Sequence, residues 1–342
     1  MIVNHAKLFV LAILLILSTD IAKAQHITLL QQGKPTSIRG LSVVDDSVAW
    51  VSGSKAYIAK TTNGGKTWAW QQLKGYERSD FRGIQAFSAK EAIIMSSGTP
   101  ALVLKTIDGG NTWIEKYRNT DTAYFLDAMD FANTKQGYIL GDPINNKFVF
   151  LETKDAGETW NMFYDRPNAF TEEAAFAASN TCLRVEDGNI VIVTGGKYSR
   201  KLTLNKNTPD SWQSRDLDII HGRSSQGAFS TAHGSCDVVV GGDYQNDTRT
   251  DCVAEYCCYD GTYVRGPMHL SKTPPSGYQS CVEYIKDNIF LSTGTPGTNI
   301  TIDGGQTWAK IDTVSFNVCR KAKHGTLVLL AGNEGKIAFF KL

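Results

Sequence analysis

The chain has 342 residues, with 35 Lys and Arg against 34 Asp and Glu and a formal net charge of +1. This balance excludes the basic excess of a nucleic-acid binder and the acidic tract of a solvating tail. Hydrophobic residues make up 42%, and 31 Gly against 9 Pro predict many tight turns between short strands.

The first residues read as a leader. His5 and Lys7 precede an apolar run over 8–17, and Ala22-Lys23-Ala24 follows before Gln25. A basic start, an apolar stretch too short to span a bilayer and an A-x-A site predict a signal peptide over 1–24, cleaved near Ala24/Gln25. The domain 25–342 is then secreted or periplasmic, with no stable membrane insertion after cleavage. No Cys follows the apolar run, which speaks against a lipid anchor. All seven Cys (182, 236, 252, 257, 258, 281 and 319) fall in 25–342, and an odd number leaves at least one unpaired. Cys257 and Cys258, adjacent on a strand, point to opposite faces and are expected to pack or pair elsewhere rather than with each other.

Along 25–342, apolar runs that end in Gly recur seven times, over 48–53, 92–98, 138–141, 190–195, 238–241, 289–294 and 327–332. Their length and β-branched content mark buried strands. A shorter apolar strand precedes each, over 40–44, 83–87, 128–131, 174–177, 227–230, 281–284 and at 318. A third and a fourth strand follow. Between these last two, at 61–68, 106–113, 153–160 and 301–308, stands Thr-x-Asp/Asn-Gly/Ala-Gly-x-Thr-Trp. Its members are Asn63 and Trp68, Asp108 and Trp113, Asp155 and Trp160, and Asp303 and Trp308. The starts lie 45, 47 and 148 residues apart, the last gap being three periods. A period in this range means repeated supersecondary units stacked on one another. Four strands repeated seven times predict an all-β, single seven-bladed β-propeller of antiparallel blades over 25–342. Two units have lost the box, near 203–212 and near Asp260-Gly261. The last strand, 336–342, has no box and is expected to share its blade with the segment before Ser37, closing the ring.

In the box, the Asp or Asn is expected to accept turn amides, the small pair to take positive φ, and the Trp to bury itself against the next blade. Here the chain resembles the Asp-box (BNR) repeats of sialidase-type propellers, in which the box is a structural turn. Over 25–342 it resembles the Ycf48-like, photosystem II assembly-factor-like propellers. Segments 126–131, 141–143, 175–183, 241–244 and 277–281 carry that likeness. It implies a scaffold or assembly role rather than catalysis. Sialidase activity itself is disfavoured, because Ile38-Arg39-Gly40 only echoes the Arg-Ile-Pro motif of that family. No third inner-strand Arg accompanies Arg39 and Arg82, and Arg223 is the best stand-in.

Antiparallel alternation puts the connections from the fourth strand to the next blade on the same face as those from the second strand to the third. The long connections, 74–82, 116–127, 164–173, 215–226 and 268–279, all belong to that face, the expected working surface. Entering the inner strands are Arg39, Arg82, Asp127, Glu172 or Glu173, Gln226, Gln279 and Asn317. Arg39, Arg82, Asp142, Lys197, Tyr198, Tyr278 and Gln279 are the candidate ligand-binding residues, with the arginines placed to clamp a carboxylate. Asp127, Glu173, Asp243 and Tyr244 are the candidate catalytic residues of the alternative, a glycoside hydrolase. Mutual pairing of these groups at a channel mouth also stays open. The expected partner is a protein or a carbohydrate, and the expected state a monomer. Nucleic acid is not expected.

No cofactor or metal is expected either. Gly65-Lys66-Thr67 ends like a phosphate loop, but Lys60 stands where the first Gly belongs. G-x-G-x-x-G, H-E-x-x-H and G-x-S-x-G do not occur, and the six His have no metal-ligand spacing.

Overall fold

The computed structural model describes residues 26–186, 188–205, 211–258 and 266–342. Within them, seven antiparallel sheets form the blades of a propeller, each with four strands, A to D from the axis outward. Blade 1 comprises Ile38–Val43, Ala49–Gly53, Tyr57–Thr61 and Ala69–Gln72. Blade 2 comprises Asp80–Ala86, Ala92–Ser97, Ala101–Thr106 and Ile114–Asn119, and blade 3 Leu126–Phe131, Gly137–Ile144, Lys147–Thr153 and Asn161–Met162. Blade 4 is built from Leu183–Glu186, Asn189–Val193, Arg200–Asn205 and Gln213–Asp216. Blade 5 is built from Gln226–His233, Cys236–Asp243, Ala254–Cys258 and His269–Leu270, with the short strands Gly195–Gly196 and Glu173–Ala174 added at its inner edge. Blade 6 follows with Cys281–Lys286, Ile289–Gly294, Gly297–Thr301 and Ala309–Asp312. Blade 7 takes strands A to C from Val318–Lys321, Val328–Ala331 and Ile337–Lys341, and its strand D from the other end of the chain, His26–Gln31. Inner strands touch in cyclic order, blade 7 against blade 1.

The all-β, seven-bladed expectation therefore holds, as does the shared closing blade, in which His26 pairs with Lys341 and Thr28 with Phe339. Stacked blades cover both faces of the middle strands, so these read as unbroken apolar runs. Ala92–Ser97 and Ala101–Thr106 are buried at every position, whereas the outer strand Gln213–Asp216 is exposed throughout. The leader over 1–24 and the Asp260-Gly261 turn lie outside the described residues, as do 206–210 of the first lost box.

The four boxes are the C–D turns of blades 1, 2, 3 and 6, built as one staple. In blade 2 the Asp108 carboxylate accepts the Thr112 amide at 2.9 Å and the Thr112 hydroxyl at 2.6 Å, while Thr106 Oγ1 accepts the Gly110 amide at 2.9 Å. Asp155 and Asp303 repeat this with Thr159 and Thr307. The small pair takes positive φ, as at Gly304 (74°) and Gly305 (97°). Each box packs on the preceding blade. Trp113 meets Trp50 of blade 1 edge-on at 6.2 Å, and Trp308 joins the cluster of Val238, Val240 and Ala254 of blade 5. Beneath the blade 6 box lies the disulfide Cys236–Cys258, joining paired positions of two neighbouring strands. The other five Cys are free thiols.

One inner strand differs from expectation. The apolar stretch 174–177 was the sequence candidate for strand A of blade 4, but that strand is Leu183–Glu186. Residues 175–182 instead cross the channel at the centre of the ring. Arg39 of blade 1 donates to Ala178 O at 3.0 Å, and Asn180 exchanges two hydrogen bonds with Met129 of blade 3 at 2.7 and 2.8 Å. Thr181 Oγ1 meets Ser230 of blade 5 at 2.6 Å. Ser179 Oγ donates to Ser280 O at the entrance to blade 6, and Arg320 of blade 7 donates to Ser179 O. Burial in this hub explains an apolar composition that imitates a strand, with Ala175, Ala177 and Ala178 all buried. The true strand, Leu-Arg-Val-Glu, alternates buried and half-buried residues and is short.

Candidate functional site

The crossing segment divides the channel into two recesses. On the face of the long connections lies one of about 470 Å³. Arg39 and Arg82 enter it at the starts of inner strands in blades 1 and 2. Asp127, on the adjacent inner strand, and Asp142, on the second strand of blade 3, face them. Phe176 of the crossing segment, Phe229, Tyr244 and Tyr278 form an aromatic wall. Phe176 and Phe229 stack with centroids 3.8 Å apart, and Tyr278 meets Phe229 edge-on at 4.8 Å. The register explains the convergence. Residues that open strand A lie nearest the axis, so side chains widely separated in sequence share one mouth.

Electrostatically the recess is asymmetric. Arg82 Nε holds the Asp80 carboxylate at 2.7 Å and Nη1 reaches Ala177 O at 3.4 Å. Burial, then the neighbouring Arg82, lowers the pKa of Arg39 from the usual guanidinium value. Asp127 is 1% exposed, and neither of its carboxyl oxygens has a hydrogen-bond partner of ordinary geometry among the described residues. Burial and the adjacent Asp142 push its carboxyl well above the usual range, against the pull of Arg82 and the Ala177 amide. Burial likewise raises Asp142 to about 6, although the Ala175 amide donates to it at 3.3 Å. Burial pushes the Tyr278 phenol up as well. Burial thus shifts both carboxyls towards their neutral forms beside the two guanidinium side chains.

Six of the sequence candidates, Arg39, Arg82, Asp127, Asp142, Tyr244 and Tyr278, line this one recess. Five others do not. Glu173 is buried beneath the rim, gripped by Arg200 Nε at 2.8 Å and by the Phe170 amide at 2.8 Å. Burial raises the Asp243 carboxyl, but hydrogen bonds led by Gln226 Nε2, at 2.9 Å, outweigh it and leave the pKa lowered. Lys197 pairs with Glu172 at the surface, and Tyr198 packs on Phe170 at 5.0 Å. Gln279 is fully buried and bonds its own strand entrance and Asn299. Phe176 and Phe229 escaped the sequence reading because aromatic residues inside apolar runs look like core.

The opposite mouth, on the face of the boxes, holds a recess of about 390 Å³ lined by Asp130, Arg184, Glu186, Glu283, Arg320 and Lys323 among others. Its charges largely serve one another. Arg184 lies 2.7 Å from Glu283, and Asp130 accepts the Val185 amide at 2.7 Å. Among the described residues, no three His, Cys, Asp or Glu side chains cluster closely enough to hold a metal ion.

Blade order, box geometry and strand closure together define an Asp-box seven-bladed propeller. More particularly, residues 23–120 match the family described as photosynthesis system II assembly factor YCF48. Solved structures share the fold. A YCF48 bound to D1 peptide superposes with a TM-score of 0.64 at 18% identity, over 94% of this chain and 97% of that one. YCF48 from Cyanidioschyzon merolae gives 0.62 at 15% identity, over 92% and 98%. Virginiamycin B lyase from Staphylococcus aureus gives 0.63 at 10% identity, over 93% and 99%. Among curated proteins none matches the sequence.

Proposed function

We propose that this protein is an exported, monomeric propeller that binds a segment of a partner protein in the 470 Å³ recess, as an assembly or maturation scaffold. The observation that carries the reading is the pair of guanidinia, Arg39 and Arg82, held by carbonyls of the crossing segment beside an aromatic wall. Fixed guanidinium forks favour a planar carboxylate, and the recess has the size of a ligand site. The wall offers apolar area to the residue that bears the acid. The family match over 23–120 supports an assembly role, and one structurally similar YCF48 is described as bound to a D1 peptide. The Cys236–Cys258 disulfide agrees with an oxidising compartment beyond a cleaved leader.

The test is fluorescence anisotropy with a peptide library presented once with free C-terminal carboxylates and once as carboxamides. Carboxylate peptides are expected to bind. Arg39→Ala and Arg82→Ala are each expected to weaken binding about tenfold or more. Equal binding of acids and amides, or no effect of either substitution, would overturn the reading. Export is checked separately by N-terminal sequencing of the protein recovered outside the cytoplasm, expected to start at Gln25.

A second reading rests on the neighbouring carboxyls Asp127 and Asp142, both raised by burial, Asp142 to about 6, the direction that a general acid needs. Glycoside hydrolysis through them predicts turnover of fluorogenic glycosides that Asp127→Asn abolishes. Absence of turnover above that variant removes this reading.

A further inference from the structure

The crossing segment, the run 277–281 and strand A of blade 7 meet beneath the recess on the box face. Cys281 opens strand A of blade 6, and Cys319 is the second residue of strand A of blade 7. Their sulfurs lie 3.7 Å apart and both residues are fully buried. Around Cys281 Sγ stand the Cys319 amide at 3.4 Å, Arg320 Nη1 at 3.5 Å and Thr181 Oγ1 at 3.9 Å. As a thiol, Cys281 can donate to Cys319 O at 3.3 Å. As a thiolate, it is met by those donors and by the Cys319 S–H.

This surrounding makes the two thiols unequal. Burial by itself pushes Cys281 up, but the hydrogen bond from Cys319 and the Arg320 guanidinium outweigh it and bring its pKa down. Cys319 goes the other way, raised by burial and by its bond to Cys281. A stabilised thiolate beside a protonated thiol is the arrangement of an attacking and a resolving cysteine. The box-face recess comes nearest to the pair, and a small polar oxidant has to pass Arg320 to reach it. Arg320 and Asn180 line the 390 Å³ recess, and Arg320 touches Cys281 directly.

We propose that Cys281 and Cys319 form a dithiol that hydroperoxides oxidise to a disulfide joining blade 6 to blade 7. In the first step the Cys281 thiolate attacks one oxygen of the hydroperoxide and the O–O bond breaks. Cys281 becomes a sulfenic acid, and the departing alkoxide or hydroxide takes up the proton that the thiol had released. In the second step Cys319 sulfur attacks the sulfenic sulfur, the S–O bond breaks, and the hydroxide leaves as water with the Cys319 proton. Two thiols and one hydroperoxide thus give a disulfide, water and an alcohol, or two waters from hydrogen peroxide. This inference stands apart from the peptide-binding reading and uses none of its residues.

The discriminating comparison is with Cys252, which is only half-buried and whose thiol burial raises. If access alone decides, Cys252 reacts first. The folded protein is treated with hydrogen peroxide, quenched with catalase, denatured, alkylated and digested for mass spectrometry. The expected product is a 281–319 crosslinked peptide, with both thiols lost about tenfold faster than Cys252. In Cys319→Ser, Cys281 is expected to accumulate a dimedone-reactive sulfenic acid under the same treatment. Wild-type Cys281 and Cys319 that remain fully alkylatable while Cys252 is oxidised would overturn the proposal, whatever the folding of the variant. So would a crosslink that forms only in urea.

Discussion

Asp142 and Asp127 are the residues whose protonation the fold distorts most usefully. Asp142 has a folded pKa of about 6, above the ordinary carboxylate value near 4. A raised carboxyl stabilises the fold fully below its unfolded pKa and loses that contribution as pH rises through the folded value. Wild-type melting temperature is therefore expected to fall between about pH 4 and pH 6.5 through this group, and Asp142→Asn to flatten that slope by a few degrees. The box carboxylates work in the opposite sense. Hydrogen bonds from Thr112 to Asp108 and from Thr159 to Asp155 hold both at about 2. Their contribution is present above about pH 4 and lost as pH falls towards 2. Thermal melts across pH for wild type and Asp142→Asn test the first window, and an unchanged slope would show that Asp142 is ionised in the fold. The arginines and Asp127 were legible in sequence because each stands one residue before the Gly or Ala that begins an inner-strand run. Glu173 shared that look but lies in the short strand just before the segment that crosses the channel, where Arg200 pairs with it.

At the scale of elements, the box can be tested by repairing the one departure at its carboxylate position. In blades 2, 3 and 6 the second carboxylate oxygen accepts the Thr hydroxyl at 2.6 Å. In blade 1 the sense is reversed, and Asn63 Nδ2 donates to Thr67 Oγ1 at 2.9 Å while Oδ1 accepts the Thr67 amide at 3.0 Å. Asn63→Asp converts both to charge-assisted bonds and is expected to raise the melting temperature at pH 7 by about 1–3 °C. The gain should vanish near pH 2, and a loss at pH 7 would contradict the staple geometry. The crossing segment depends on a different device. Glu173 and Arg200 form a fully buried ion pair, with Phe170 lying over the guanidinium at 4.0 Å. Glu173→Gln leaves Arg200 charged and buried, and should cost about 3–5 kcal/mol in urea unfolding. A loss below about 1 kcal/mol would mean that the pair does not anchor the segment. These two elements also mark what sequence can reveal. The box recurs four times with its turn chemistry intact, so spacing alone exposes it. The segment 175–182 occurs once, and its contacts reach six blades through backbone carbonyls and small hydroxyls that leave no periodic trace.

For the whole molecule, ring closure rests on a strand from one end of the chain and three from the other. His26–Gln31 pairs with Ile337–Lys341 from His26–Lys341 to Gln31–Ile337, with an irregularity between Leu29 and Gln31. The box of blade 1 then packs over the join, where Gly65 lies close to Leu30 and Leu329. Removing residues 26–31 would strip that ladder and leave Ile337–Lys341 as an open edge, a template for pairing with other chains. It would also uncover the Phe339 and Phe340 side of blade 7, next to a groove lined by Ile285, Leu327 and Leu342. Local unfolding should stay coupled to the ring, because blade 7 touches both blade 6 and blade 1 through its inner strand. The deletion is expected to lower the melting temperature by about 5 °C or more and to shift the protein towards larger species in light scattering. A control that reduces Cys236–Cys258 loosens only the middle of blade 5 and should leave the oligomeric state unchanged. If the deletion leaves the oligomeric state and the melting temperature unaltered, the closing strand is dispensable. The stability of the ring would then reside in the packed inner strands and the segment that crosses between them.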